Sequence, residues 1–328
     1  MNKFERDITY QGDMRLVGGV VTKRDADFGI LFERDNYLNI VKKLLHIQSE
    51  DIDQYEDHQV LDCTLSNGSV VALKAEHSAA FSASEVEKFI RSGVSHIIRI
   101  GTCGALDEKI KPWDIILNYA SLIDESTSMK YKEQNRTFFK SILDELICPL
   151  GILNHTYEIL PKFIQTLLNL FNKNPYQHFT VSSDIYLDSI LYSELKLQLK
   201  KSNTQLHRAI NYTGSARYRQ NKKLVSKILK DIPVKTIDME TSAILSTAAF
   251  HKIPASIINI RTDNPMSEQY GKCKKMGLKT TLHGIPDHKL YNDVIPDKIK
   301  LCTKAVMNTF SKISNDENYP KLINYNKR

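Results

Sequence analysis

Arg91-Ser92-Gly93-Val94-Ser95-His96-Ile97-Ile98-Arg99-Ile100-Gly101-Thr102-Cys103-Gly104-Ala105-Leu106 is the stretch whose reading decides the fold. His96 to Ile100 carries β-branched residues in an apolar run, which predicts a buried strand. The strand runs into Gly101-Thr102-Cys103-Gly104, read as a turn whose glycines bend the backbone tightly and expose N–H groups to an anion. Upstream, Ser84 to Gly93 predicts a short helix, with Ser84 and Glu87 as a capping box and Gly93 as its stop. Before that, Ser69 to Leu73 predicts a strand, and Asp114 to Leu117 predicts another downstream. Strand, helix and strand in this order form a βαβ unit. The expected fold is therefore a single α/β domain with a central mixed, twisted β-sheet flanked by helices.

Working outward, Pro161 to Phe171 has apolar residues at helical spacing, and Phe179 to Ser182 predicts a strand. Asp184 to Lys235 is polar, Lys-rich and weakly patterned, which suggests an insertion or lid. Glu240 to His251 predicts a helix, Ala255 to Arg261 a strand, and Pro296 to Ile313 a final helix with Ile299, Cys302, Val306 and Phe310 on one side. There is no internal repeat and no low-complexity linker. One domain over 1–328 is expected, with its core at about 25–313 and short tails.

Composition narrows the function classes. At 328 residues and 41% hydrophobic, the chain can bury a sizeable core. No apolar run approaches the roughly 18 residues that a membrane span needs. The first residues lack the apolar core of a signal peptide. Five scattered cysteines without a Cys-x-x-Cys pair fit reduced thiols in a cytoplasm. The net charge of +7 comes without a dense basic block, so nucleic acid is not an expected partner. His283 and His288 flank Gly284 to Asp287, but no carboxylate or Cys cluster completes a metal site.

Three short motifs could carry chemistry. In the first, Arg99 and Thr102 would offer a forked cation and a hydroxyl donor to an anion, although a Gly-containing turn is often only structural. In the second, Asp238-Met239-Glu240-Thr241-Ser242-Ala243 opens a helix. Its carboxylates either complement the helix N-terminus or accept hydrogen bonds from a sugar diol. In the third, Ile260-Arg261-Thr262-Asp263-Asn264-Pro265 places an acid beyond a strand's C-terminal edge, where α/β sheets bind ligands, or forms a turn.

Taken together, Arg91 to Leu106, Val181-Ser182-Ser183-Asp184-Ile185-Tyr186 and Asp238-Met239-Glu240 resemble the signatures of the nucleoside phosphorylase family. Asp238 to Ala243 and Ile253 through Met266 are also similar to its AMP nucleosidase branch. The resemblance implies that Arg99 and Thr102 hold phosphate, Met239 packs on the ribose and Glu240 binds its hydroxyls. It further implies that Tyr186 lies near base or sugar and that Asp263 serves N7 of a purine. An Asp at 263, with no Gln and Arg pair in Leu187 to Tyr192, is similar to the purine branch. No organic cofactor is implied. The implied assembly is a homo-oligomer built on dimers.

Two stretches depart from the family pattern. Leu38 stands where a phosphate-gripping Arg is expected, so Arg34 would have to substitute. Ala75-Glu76-His77-Ser78 replaces a Gly-x-Gly turn, and Glu76 would repel an anion. Three readings follow. The first is phosphorolysis of a purine nucleoside to free base and ribose 1-phosphate. The second is hydrolysis of a nucleoside or nucleotide, with Glu76, Glu33 or Asp35 as base. The third is nucleoside binding without turnover.

Overall fold

A computed structural model describes residues 26–45, 52–55, 58–76, 78–133, 180–200, 202–214, 232–263 and 288–316. The helix expected at Pro161 to Phe171, His77, His283 and the C-terminal tail lie outside them. Strands are β1 (Phe28–Phe32), β2 (Ile52–Tyr55), β3 (His58–Thr64), β4 (Val70–Ala75), β5 (His96–Ala105), β6 (Ile115–Asp124), β7 (Thr180–Ser182), β8 (Leu206–Gly214), β9 (Val234–Asp238) and β10 (Ala255–Asp263). Helices are α1 (Asp35–Leu45), α2 (Ala79–Arg91), α3 (Ser126–Glu133), α4 (Ile185–Leu199), α5 (Thr241–Phe250) and α6 (His288–Asn315).

Among the described residues, all ten strands join one mixed sheet. β1 lies between β4 and β5 and is parallel to both, so the expected βαβ unit is present with β1 inserted. β10 pairs with β5 on one side and β6 on the other; β6 pairs with β8, β8 with β9, and β9 returns to β5. Five strands thus close on themselves as a small barrel, while β4, β3 and β2 extend from β1 as an open sheet.

The sheet is covered on both faces. One apolar layer joins Ile30, Phe32, Ile98, Ile258 and Ile260 to Leu187, Leu191 and Leu195 of α4 and to Ile299, Cys302, Val306 and Phe310 of α6. The other joins Leu31, Ala72 and Ile97 to Val86 and Phe89 of α2 and Ile244 and Ala248 of α5. Buried runs on two-sided strands are what an α/β sheet demands.

Three expectations need correction. The strand at His96 does not turn at Gly101; it continues to Ala105, and Gly101 and Gly104 lie within it. α2 begins at Ala79, so Ser84 and Glu87 are mid-helix rather than a capping box. Glu87 instead meets His251 Nε2 at 2.8 Å. Gly93 does end this helix, at φ +88°. Finally, 184–235 is not simply an insertion. It supplies α4, whose Leu187, Leu191, Leu195 and Leu199 recur every four residues into the core, and β8, a wall of the barrel.

Candidate active site

Arg99, from the middle of β5, is fully buried. Its Nε donates to Glu76 Oε1 at 2.7 Å, Nη1 to Asn259 Oδ1 at 2.7 Å and Nη2 to Glu240 Oε2 at 2.9 Å. Asp238 Oδ2 lies 3.5 Å from Nη1 and Glu33 Oε2 lies 3.9 Å from Nη2. One guanidinium is therefore surrounded by four carboxylates. Burial by itself would lower its pKa; Glu76, then Glu240, Asp238 and Glu33, outweigh that and hold it above the ordinary arginine value.

Each partner is delivered by an element end. Glu33 follows β1, Glu76 follows β4, Asp238 ends β9 and Glu240 precedes α5. β1 and β4 are adjacent parallel strands, so Glu33 and Glu76 emerge side by side; Glu76 N–H also donates to the Phe32 carbonyl at 2.7 Å. Gly101 admits the guanidinium, since a Cβ there would overlap the Arg99 head group.

Thr102 and Glu33 form the second contact. The Thr102 backbone N–H and Oγ1 both donate to the Glu33 carboxylate, with Oγ1 at 2.9 Å from Oε1 and 2.6 Å from Oε2. The donors expected for an external anion are engaged by a carboxylate of the chain itself. Arg34 Nε is 3.5 Å from Glu33 Oε1 and is partly exposed. Leu38 is buried in the core, consistent with a position that no longer reaches an anion.

The helix opening at 238–243 divides its two acids between two tasks. Asp238 accepts from Thr241 N–H at 3.3 Å and from Thr241 Oγ1, so it caps α5. Glu240 makes no side-chain cap; its carboxylate turns to Arg99. Burial pushes the Glu240 carboxyl well above the usual range. Arg99 opposes that rise, while Glu76, Asp238 and Glu33 add to it. Burial likewise raises Glu76, against the pull of Arg99.

Of the other sequence-derived positions, Met239 is half-buried beside Glu240. Asp263 ends β10, is half-buried, and pairs in register with Gly104 across a bulge. Its charge, with that of Asp238, acts on the Cys103 thiol, whose pKa burial already raises. Tyr186 sits on the first turn of α4, is 66% exposed and takes no part in the hydrogen bonds around Arg99. Among the described residues, no group of three or more His, Cys, Asp or Glu is arranged to hold a metal ion.

Residues that sequence reasoning missed include Asn259, Asn118, Thr236 and Asn211, all fully buried. The available signal was an Asn set within an apolar strand, as in Ile257-Ile258-Asn259-Ile260 and Ile115-Ile116-Leu117-Asn118. A polar side chain in such a run is costly unless it has partners.

Comparison with known proteins agrees with this fold. The model of the phosphorylase superfamily matches residues 63–279. A DeoD-type purine nucleoside phosphorylase of Brevibacillus brevis is 27% identical over 134 residues, covering 39% of this chain and 49% of that protein. The match thus spans about half the length of that curated relative. Among solved structures, Campylobacter jejuni 5′-methylthioadenosine/S-adenosylhomocysteine nucleosidase superposes with a TM-score of 0.59 at 12% identity, covering 88% of this chain and 99% of that one. Vibrio fischeri uridine phosphorylase gives 0.58 at 12%, covering 87% and 91%. Helicobacter pylori futalosine hydrolase gives 0.58 at 9%, covering 88% and 98%. With residues 63–279 matched by the family model and a fold shared with these structures, the chain belongs to the phosphorylase superfamily.

Proposed function

We propose that this protein cleaves the N-glycosidic bond of a purine nucleoside with water as the nucleophile, releasing free base and ribose. The observation that carries the reading is Glu33 seated on Thr102 N–H and Oγ1 beside Arg99. Phosphorolysis asks those same donors to hold phosphate. A phosphate arriving there would have to displace Glu33 and face Glu76, Asp238 and Glu240. Each hydrogen bond to a charged group is worth about 1.5–3 kcal/mol, so the internal carboxylate is a strong competitor.

The same carboxylates suit hydrolysis. Cleavage passes through a sugar cation, which a surplus of negative charge stabilises. Glu240 would accept hydrogen bonds from the ribose hydroxyls, and Met239 would pack on the ring. Water would attack C1′ as the bond from C1′ to the base nitrogen breaks. Glu33 would take a proton from that water, while Asp263 would deliver a proton to N7 of the purine, which leaves with the electron pair of the broken bond as the neutral base. The Asp at 263 and the relative named as a purine nucleoside phosphorylase support the purine; the neighbours named as nucleosidase and hydrolase support water, beside a uridine phosphorylase that superposes equally well. The homo-oligomer built on dimers remains part of the reading. Tyr119, Ile185 and Tyr186, grouped where β6 meets α4 and all exposed, support a partner surface there.

The test is product analysis on a panel of nucleosides with and without phosphate. Free base plus ribose at a phosphate-independent rate is expected. Ribose 1-phosphate formed only with phosphate would overturn hydrolysis and restore phosphorolysis. Glu240→Ala should lower kcat/KM by about 10²-fold or more; a loss within twofold would remove the sugar assignment.

A further inference from the structure

Inside the barrel, every one of the five strands contributes a buried polar side chain to one hydrogen-bonded set. Asn259 of β10 donates to Asn118 Oδ1 of β6 at 2.9 Å and to Asp238 Oδ2 of β9 at 3.1 Å. Asn118 donates to Thr236 Oγ1 of β9 at 2.8 Å, Thr236 to Asn211 Oδ1 of β8 at 2.9 Å, and Asn211 to Asp238 Oδ1 at 2.7 Å. Arg99 of β5 enters by donating to Asn259 Oδ1.

The donor directions all agree. Arginine can only donate and an ionised carboxylate can only accept. Asn259, lying between Arg99 and Asp238, therefore has one possible amide orientation. Two routes leave it, one direct and one through Asn118, Thr236 and Asn211, and both end on Asp238. A set this fully paired is rigid, whereas a half-paired one would be costly. Nη1 is thereby fixed, and rotation of the planar head group is blocked. Nη2 must then point where Glu240 stands.

We propose that Asn259 is a positioning residue, which clamps the Arg99 guanidinium against Asp238 and so aims Nη2 at Glu240. The proposal rests on the reading of Glu240 as the ribose ligand. Asn259 is not itself placed against substrate; it acts through Arg99.

The experiment combines side-chain NMR of arginine-labelled full-length protein with steady-state kinetics on Asn259→Leu and Asn259→Asp. In the wild type, the Nη protons of Arg99, assigned by loss of the signals in Arg99→Lys, should be resolved and slowly exchanging. Asn259→Leu should speed their exchange and lower kcat/KM by about 10–100-fold, the scale of one lost hydrogen bond to a charged group, mainly in kcat. Asn259→Asp keeps the shape and the acceptor for Arg99 but sets a carboxylate against Asp238. The charged groups that meet it are Arg99 from β5 and Asp238 from β9; Glu76, Glu240 and Glu33 hold the rest of the Arg99 head group, and Asp238, Asp263, Arg99 and Glu33 act on the nearby Cys103 thiol. Added negative charge raises the carboxyl pKa values among them, so the acidic limb of kcat/KM should move to higher pH. Unchanged Arg99 exchange in both variants would overturn the clamp, as would kinetics within twofold and an unmoved pH profile in folded variants. If the wild type cleaves no nucleoside, the functional reading fails, and the NMR still decides the clamp.

Discussion

At the residue scale, the site is built from a cation that the chain neutralises itself. Glu33 is the residue on which nucleophile choice turns. Glu33→Ala would free Thr102 N–H, Thr102 Oγ1 and one side of Arg99 while deleting the proposed base. The expected outcome is hydrolysis reduced by about 10²–10⁴-fold, with partial recovery on adding formate or acetate as a substitute carboxylate. Lack of recovery by small carboxylates, with hydrolysis intact, would show that Glu33 is neither base nor occupant of an anion seat. Gly101 is the second such residue. Its φ needs no glycine; the space does, because a Cβ would overlap the Arg99 head group. That group is held by Glu76, Asn259 and Glu240, so it cannot step aside cheaply. Gly101→Ala should lower kcat/KM by about 10²-fold with a measurable fall in Tm, since overpacking typically costs about 1–3 kcal/mol. Wild-type kinetics in that variant would mean that Arg99 has room the geometry denies.

At the element scale, the junction of α4 with β10 and β7 is sealed by one buried acid. Asp184 caps α4 by accepting from Tyr186 and Leu187 N–H at 3.0 and 2.8 Å. One turn later, Asp188 accepts from Ser183 Oγ at 2.6 Å and from Ser256 Oγ, and Arg208 approaches to 4.0 Å. Burial pushes Asp188 up to about 6 despite those hydroxyls. Its folded pKa thus lies above the unfolded carboxylate value. The protonated form is favoured by folding, so its stabilising contribution is fullest below about pH 4 and fades as pH rises towards 6. Asp188→Asn removes that dependence. The difference in Tm between wild type and variant should move in the wild type's favour as pH drops from 8 to 5, by a few degrees. Parallel melting curves across that range would exclude Asp188 as the titrating group. This junction was illegible in the sequence. Asp184 to Lys235 looked weakly patterned because α4 carries exposed Ile185, Tyr186 and Leu197 on its outer face while its leucines face inward.

At the scale of the whole molecule, closure of β5, β10, β6, β8 and β9 separates a ring without free edges from an open sheet ending in β2. A strand can leave the ring only by breaking two ladders at once, whereas an edge strand breaks one. Amide hydrogen exchange should therefore place those five strands in one slow class, with β2 and β3 exchanging faster. Fast exchange of β8 and β9, together with β2, would show that the ring is not a cooperative unit. The ring also explains the polar interior. Side chains from five strands meet where helices cannot reach, and Asn, Thr and Asp there satisfy one another while fixing Arg99.

The sequence by itself determined the class of fold and the family, because apolar periodicity, the stop at Gly93 and the order of the motifs around Arg99, Glu240 and Asp263 are local properties of the chain. It also marked Glu76 and Leu38 as departures, since a charge or an apolar group at an anion-gripping position is visible residue by residue. Only the tertiary structure decided that Glu33 sits on Thr102, that Asp238 caps a helix while Glu240 does not, and that Asn259 joins a cation to an anion. The cap is a local contact, three residues long; the other pairings link residues 21 to 160 positions apart through Thr102, Arg99 and Asp238. Such distances are set by strand order and barrel closure, which no local pattern encodes.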